Sequence, residues 1–511
     1  MARRRAISAS LMFVAAMAAA GHARAQTAEQ RQQAAQQADA NLADQQQDAP
    51  EPLRRLDPSQ LAGGDYGGAE PAPLAGGDYG TQLPTETDTA APLTGPIGDP
   101  LAAGPAGIQP RSRPTPGFEE DDAYAPTGVR AGAFILRPSM EAAGGYDDNP
   151  DRVEKGGKGS PFVRLKGALD ARSDWERHEV DVKIDGQARR YTDTDRDSYE
   201  PNVNAVIDGR LDVTERTKIT SELRASITSS RPGDADTATG LKGDEIQKSA
   251  GATLGVSQTF NRFSLKLEGL VDRYVYNDAK LQDGSTLDNS DRAYNSYEIR
   301  LRGAYDLSPR LKPFAEVALD TRDYDKSTMT SGLDENGNPV TLRRRNGSSG
   351  YAIRGGATFE ATRLITGELA VGYGRQNPKD KDLKPVDGLL IDGSVAWSPS
   401  ALTTVRATAR TALQETTLEG SGGVLGRSFG VEVEHRLRRN FIVTARADFE
   451  RQSYRGIGRV DDGLTLALET EYRLNRSLSL IGSFEHERLD SNAAGADYKA
   501  SIVEVGMRVR R

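Results

Sequence analysis

Acids and bases recur at every second position through the latter part of this chain. The sets are Glu298, Arg300 and Arg302; Glu316, Asp320 and Arg322; Arg406 and Arg410; Glu432 and Glu434; Arg446, Asp448 and Glu450; and Glu469, Glu471 and Arg473. That spacing brings each set to one face of a strand. Facing acids and bases orient water and small polar solutes without rejecting one sign outright. They equally pair across a wall and keep it rigid. Other chemistry is sparse. There is no cysteine, so disulfides and thiolate metal sites are excluded. His22, His178, His435 and His486 have no second histidine at ligand spacing, and neither a nucleophile elbow nor a phosphate-cradling loop with its lysine occurs. His435 and His486 could serve a hydrolytic triad only with a serine motif the chain does not show, and they read as strand-end residues. Tyr146–Asp151 (YDDNPD) offers oxygens for calcium or a simple acidic turn, and Asn336-Gly337 inside Asp334–Pro339 is first a tight-turn signal. The expectation is a protein that is not an enzyme and carries no cofactor and no metal.

Positioning those charges requires strands. From about Gly132 onward, apolar and polar residues alternate with period two. Val163, Leu165, Gly167, Leu169 and Ala171 alternate with Arg164, Lys166, Ala168, Asp170 and Arg172, and Leu464, Leu466 and Leu468 with Thr465, Ala467 and Glu469. About eighteen such strands are predicted, joined by connections that alternate short and long, which is the rhythm of an up-and-down barrel. Short turns centre on segments such as Asn261–Arg262 and Arg438–Asn440, long loops on Asp147–Ser160, Ser229–Gln247 and Lys326–Ser349. The last is the longest, and such a loop either folds into the lumen or projects outward. Tyr146, Tyr191, Tyr351 and Tyr373 fall near the long loops, and Phe260, Phe263, Trp397, Phe441 and Tyr472 near the short turns, as two aromatic girdles would. No aromatic track is evident on the polar face. An open sheet of this size would leave edges, and closure removes them. The expected fold is all-β: a transmembrane antiparallel barrel over residues 129–511.

The chain ahead of the barrel has a different character. Arg3, Arg4 and Arg5 precede the apolar run Leu11–Ala20, and Ala23-Arg24-Ala25 fits a cleavage site, so residues 1–25 read as a signal peptide. Residues 26–128 are rich in Ala and Gln, then in Pro and Gly, and repeat LAGGDYG at Leu61–Gly67 and Leu74–Gly80. They read as a disordered periplasmic tether or, through the repeated tyrosines, a docking segment. Mean hydropathy is −0.60, too polar for a helical membrane protein and acceptable for a barrel, where only every second residue meets lipid. The net charge of −8 argues against nucleic acid as a partner.

Several stretches carry a resemblance. Gly132–Ser139 (GAFILRPS) through Gly145–Asn149 (GYDDN), Gly388–Thr404, Glu415–Gly420 (ETTLEG), Tyr472–Arg476 (YRLNR) and Val505–Arg510 (VGMRVR) resemble the β-barrel porin family, type 2. The resemblance runs from about Arg130 to Arg511 and implies a fold and an outer-membrane location. The family is linked both to porin-like diffusion and to barrels that accompany polysaccharide export. The first expectation is therefore a channel for passive diffusion of small hydrophilic solutes, and the alternative an exit barrel for an extracellular polysaccharide. The implied partners are outer-membrane lipid and lipopolysaccharide, the insertion machinery and, for the alternative, periplasmic export proteins.

Overall fold

Alternating sequence of this kind can hide its apolar half from water only against lipid, and lipid tolerates strands only when their backbone groups are all paired. The chain meets that demand by closing on itself. The computed structural model describes residues 124–511 apart from 194–198, 232–240, 282–283, 327–328, 334–338, 344–346, 417 and 419. The expected signal peptide and nearly all of the expected tether lie outside the described residues.

Eighteen antiparallel strands form the wall. They are β1 (Phe134–Asp147), β2 (Ser160–Ser173), β3 (Glu179–Tyr191), β4 (Tyr199–Asp212), β5 (Thr217–Ser230), β6 (Glu245–Phe260), β7 (Phe263–Tyr276), β8 (Tyr294–Tyr305) and β9 (Leu311–Tyr324). They continue with β10 (Gly347–Thr362), β11 (Ile365–Pro378), β12 (Val386–Ser400), β13 (Thr403–Gln414), β14 (Val424–Arg438), β15 (Phe441–Tyr454), β16 (Val460–Arg473), β17 (Leu478–Ser491) and β18 (Tyr498–Arg510). Each pairs with its neighbours in sequence, and β18 pairs back onto β1 from Ser139↔Arg510 to Asp147↔Ile502, which closes the barrel. Below that closure the short strand Val129–Ala131 folds onto Phe134–Leu136 and continues the ladder. The expected strand number and the alternation of short and long connections both hold. Over the long insertion after β9, Met329–Leu333 and Pro339–Arg343 pair as a separate ribbon.

The wall has the two faces that alternation demands. Ile299, Leu301, Leu319, Ile353, Val371, Val503 and Val505 stand out from it, Ile299 with 60% of its surface exposed. Glu141, Arg164, Arg189, Glu316, Glu368, Glu485 and Glu504 point inward and are buried. Tyr146, Tyr351, Tyr373, Phe260, Phe263, Trp397 and Tyr472 are exposed at the two rims, where girdles belong. Tyr191 does not join them. It is 3% exposed and packs inside with Phe162 and Ile502, because it shares the inward face of β3 with Arg189.

Two seams depart from full pairing. β4 and β5 form no rungs above Val203↔Ile227. β12 and β13 form rungs from Gly393↔Ala409 to Trp397↔Val405, with Ser400↔Thr403 at the turn, and none above Gly393. β11–β12 and β13–β14 remain paired to their upper ends, at Gln376↔Val386 and Gln414↔Val424.

Closure depends on one tight approach. A methyl group on Gly506 of β18 would lie 2.5 Å from Ala142 O and 2.7 Å from Ala143 Cβ on β1, whereas one on Gly167 of β2 would meet nothing within 4 Å. Gly506→Val therefore pushes β18 off β1 and lowers the temperature at which the fast-migrating folded band is lost on a denaturing gel. Gly167→Val leaves that temperature unchanged.

Candidate functional site

Alternation places thirteen sequence-predicted residues on the inner face: Glu298, Arg300, Arg302, Glu316, Asp320, Arg322, Arg406, Arg410, Arg446, Asp448, Glu469, Glu471 and Arg473. Cross-strand register then decides which meet. On β8 to β12, Arg300 Nη2 donates to Glu298 Oε1 at 2.6 Å, and its Nε lies 3.9 Å from Glu316 Oε1. Arg302 Nη2 donates to Glu368 Oε1 at 2.7 Å, and its guanidinium sits 3.5 Å over the Phe314 ring. Arg354 bridges Glu316 (3.4 Å) and Asp392 (2.9 Å). On β13 to β16, Arg406 reaches Glu432 at 2.8 Å and Arg446 reaches Glu432 at 3.4 Å and Glu469 at 3.8 Å.

A second run crosses the closure, and most of it escaped the sequence reading. Glu471 binds Arg508 (3.2 Å), which binds Glu141 (2.6 Å), which binds Arg164 (3.3 Å). Arg164 binds Glu504 (2.8 Å), and Glu504 binds Arg189 (3.0 Å). Arg164 is 1% exposed. Alternation already placed Arg164 and Arg189 on the polar face of their strands. Their partners Glu141 on β1 and Glu504 on β18 lie 363 residues apart in sequence, so only closure reveals them. Each arginine here bridges carboxylates through single charge-assisted bonds, and removing one partner leaves a buried charge uncompensated.

At the long-loop rim the first loop turns inward. Arg152 has φ 51°, a left-handed conformation that costs an ordinary side chain roughly 1–2 kcal/mol. Its fully buried guanidinium donates to Asp147 Oδ2 at 2.9 Å and to Glu487 Oε2 at 2.7 Å. Asp147 also accepts from Tyr191 Oη (2.9 Å) and the Asn149 amide (3.0 Å). Of the oxygens that suggested calcium, those of Asp147 are thus held by an arginine, a phenol and an amide. No sequence pattern flagged Arg152, since its role depends on the loop entering the barrel.

Inward aromatics form the second surprise. Tyr294 on β8 lies between Tyr274 on β7 and Tyr324 on β9, with ring centroids 4.6 and 4.9 Å away. The three are direct cross-strand neighbours, so register alone builds the stack. The expectation of a polar face free of aromatics fails here, because the tyrosines sit at strand ends where alternation was hard to extend. The histidines make local bonds: His435 Nδ1 with Thr403 Oγ1 (2.9 Å), His486 Nδ1 with Ser501 Oγ (3.1 Å), and His178 Nδ1 accepting from the Asp212 amide (3.3 Å).

Glu504 is the shared partner of two buried arginines. Glu504→Leu leaves both underpaired and destabilises the barrel by about 3–5 kcal/mol in urea unfolding from lipid vesicles. Asp490→Ala, which breaks a half-exposed pair with Arg488, changes stability by less than about 1 kcal/mol.

No curated protein matches the chain. Among solved structures, the copper transporter OprC is 9% identical over 75% of this chain and 81% of its own, with a TM-score of 0.40. The siderophore receptor PiuA from Acinetobacter baumannii is 9% identical over 75% and 82%, with a TM-score of 0.37. The ferric citrate transporter FecA is 11% identical over 70% and 60%, with a TM-score of 0.38. The family model described as "Putative beta-barrel porin 2" matches residues 122–511, the whole closed barrel, and the chain belongs to that outer-membrane family.

Proposed function

We propose that the barrel lets small hydrophilic solutes diffuse passively across the outer membrane. The observation that carries this reading is the inner wall itself. Its partly exposed acids and bases are interleaved around the circumference, from Glu298–Arg300 through Arg406–Glu432 to Arg172–Glu179. Such a surface solvates polar molecules of either charge and offers apolar ones nothing. No bond is made or broken on this reading, and no cofactor takes part. The surroundings it requires are outer-membrane lipid and lipopolysaccharide against the apolar face, reached through a signal peptide and the insertion machinery.

The stack of Tyr274, Tyr294 and Tyr324 favours a second reading, export of an extracellular polysaccharide with periplasmic partners. Sugar rings pack their apolar faces on aromatics, and Tyr324 at the edge of the stack is only partly buried. On that reading Tyr324→Ala slows polysaccharide release without lowering salt conductance.

The diffusion reading is tested by conductance and reversal potential of the purified barrel in a planar bilayer. Steady, weakly selective steps are expected. The double variant Arg406→Glu, Arg446→Glu turns one stretch of wall wholly acidic and raises cation over anion permeability about threefold. A barrel that passes no ions in any form removes passive diffusion.

A further inference from the structure

The unpaired seam between β12 and β13 is matched by a displaced hairpin. Continuing the register above Gly393↔Ala409 would oppose Asp392 to Arg410, Ile391 to Thr411, Leu390 to Ala412, Leu389 to Leu413 and Gly388 to Gln414. In place of those rungs stands one bond, from the Ile391 amide to Thr411 Oγ1 at 3.2 Å. The upper ends of β13 and β14 lie inside the barrel. By alternation Thr411, Leu413 and Leu425 share the face that carries Val405 and Ala409 toward lipid. Yet Thr411 is 4% and Leu425 1% exposed. They lie against the inner face of β11 and β12. A methyl group on Gly374 would come within 3.1 Å of Leu413 Cδ1, and one on Gly388 within 3.0 Å of Leu425 Cδ2. Glycine at these two positions makes room for the hairpin.

The inward position is held from elsewhere on the wall. Arg322 on β9 donates to Glu415 Oε1 (3.0 Å) and to Leu413 O (2.9 Å). Ser348 Oγ donates to Glu415, and Tyr324 Oη lies 3.4 Å from Glu415 Oε2. Arg455 donates to Asp387 O at 3.1 Å and so caps the open edge of β12. Two sets of interactions therefore compete for the same segment. Unfilled rungs draw it outward to complete the ladder, and the Glu415 cluster draws it in. Its back face suits both places, since Leu413 and Leu425 can meet lipid as readily as the glycine-lined wall.

We propose that the two described arms of this hairpin, residues 410–416 and 420–428, form a gate with two seats. In the inward seat, described above, the hairpin narrows the interior and leaves the β12–β13 seam open. In the second seat the five rungs form, Leu413 and Leu425 turn to lipid, Glu415 parts from Arg322, and the interior widens. The gate deepens the diffusion reading and rests on it for the conductance readout only.

The chain has no cysteine, so crosslinks can be placed without background. Leu390→Cys with Ala412→Cys are opposed only in the second seat, and opposed Cα atoms in an antiparallel ladder lie at disulfide distance. Val395→Cys with Ala407→Cys, already a rung, is the positive control. Heat-modifiable gel migration verifies that each variant folds. Oxidation is expected to close the 390–412 bridge in part of the population and in most of it once Glu415→Ala releases the inward seat. The oxidised barrel should conduct about twofold more than the reduced one. If the control closes and the 390–412 pair never does, even with Glu415→Ala, the second seat does not exist. If the bridge closes in a conducting barrel without changing conductance, the hairpin is not the gate. If it closes in a barrel silent in every form, the second seat stands and passive diffusion is the reading that falls.

Discussion

Inside a bilayer no water is available to a backbone amide or carbonyl, and nearly every feature of this barrel follows from that constraint. Each strand must find partners on both edges, so eighteen strands close into a ring. Closure brings β18 against β1, and the approach is so tight that Gly506 has no room for a side chain. Alternation then becomes obligatory. Half of each strand faces lipid, and the other half must be polar enough to line the interior.

A polar interior creates its own problem, because partly dehydrated charges need partners. The wall answers with guanidinium–carboxylate pairs in which single acids serve two arginines: Glu504 holds Arg164 and Arg189, and Glu432 takes Arg406 and Arg446. The same pairs stiffen the wall and keep its inner face polar. Where the wall is least satisfied, at the upper β12–β13 seam, it is also least fixed. There the ladder yields to the Glu415 cluster, and a segment with lipid-facing residues ends up inside.

Much of this was legible in the sequence. Period-two patterning and the rhythm of short and long connections are set by local chemistry, so the strand number, the closed antiparallel architecture and the inward placement of residues such as Arg300, Glu316 and Arg446 could be read directly. What escaped depends on distant register or on loops that enter the barrel. Tyr191 read as a girdle residue because its strand end was taken to face lipid, and one position of phase turns it inward. Arg152 carries no pattern, since its partner Glu487 is brought to it only by closure. The tyrosine stack needs three strands in register before three scattered tyrosines become neighbours. The inward hairpin was least legible of all. Its alternation is that of an ordinary lipid-facing pair, and nothing local to it marks an inward turn.

Amide hydrogen exchange of the protein in lipid, resolved by residue, tests the central claim most directly. A wall held by backbone pairing predicts slow exchange along the paired length of every barrel strand, including both sides of the β1–β18 closure, with fast exchange confined to the upper β12–β13 seam around Leu389 and the upper β4–β5 seam above Val203. Fast exchange at the closure, or uniform protection through those seams, would contradict it.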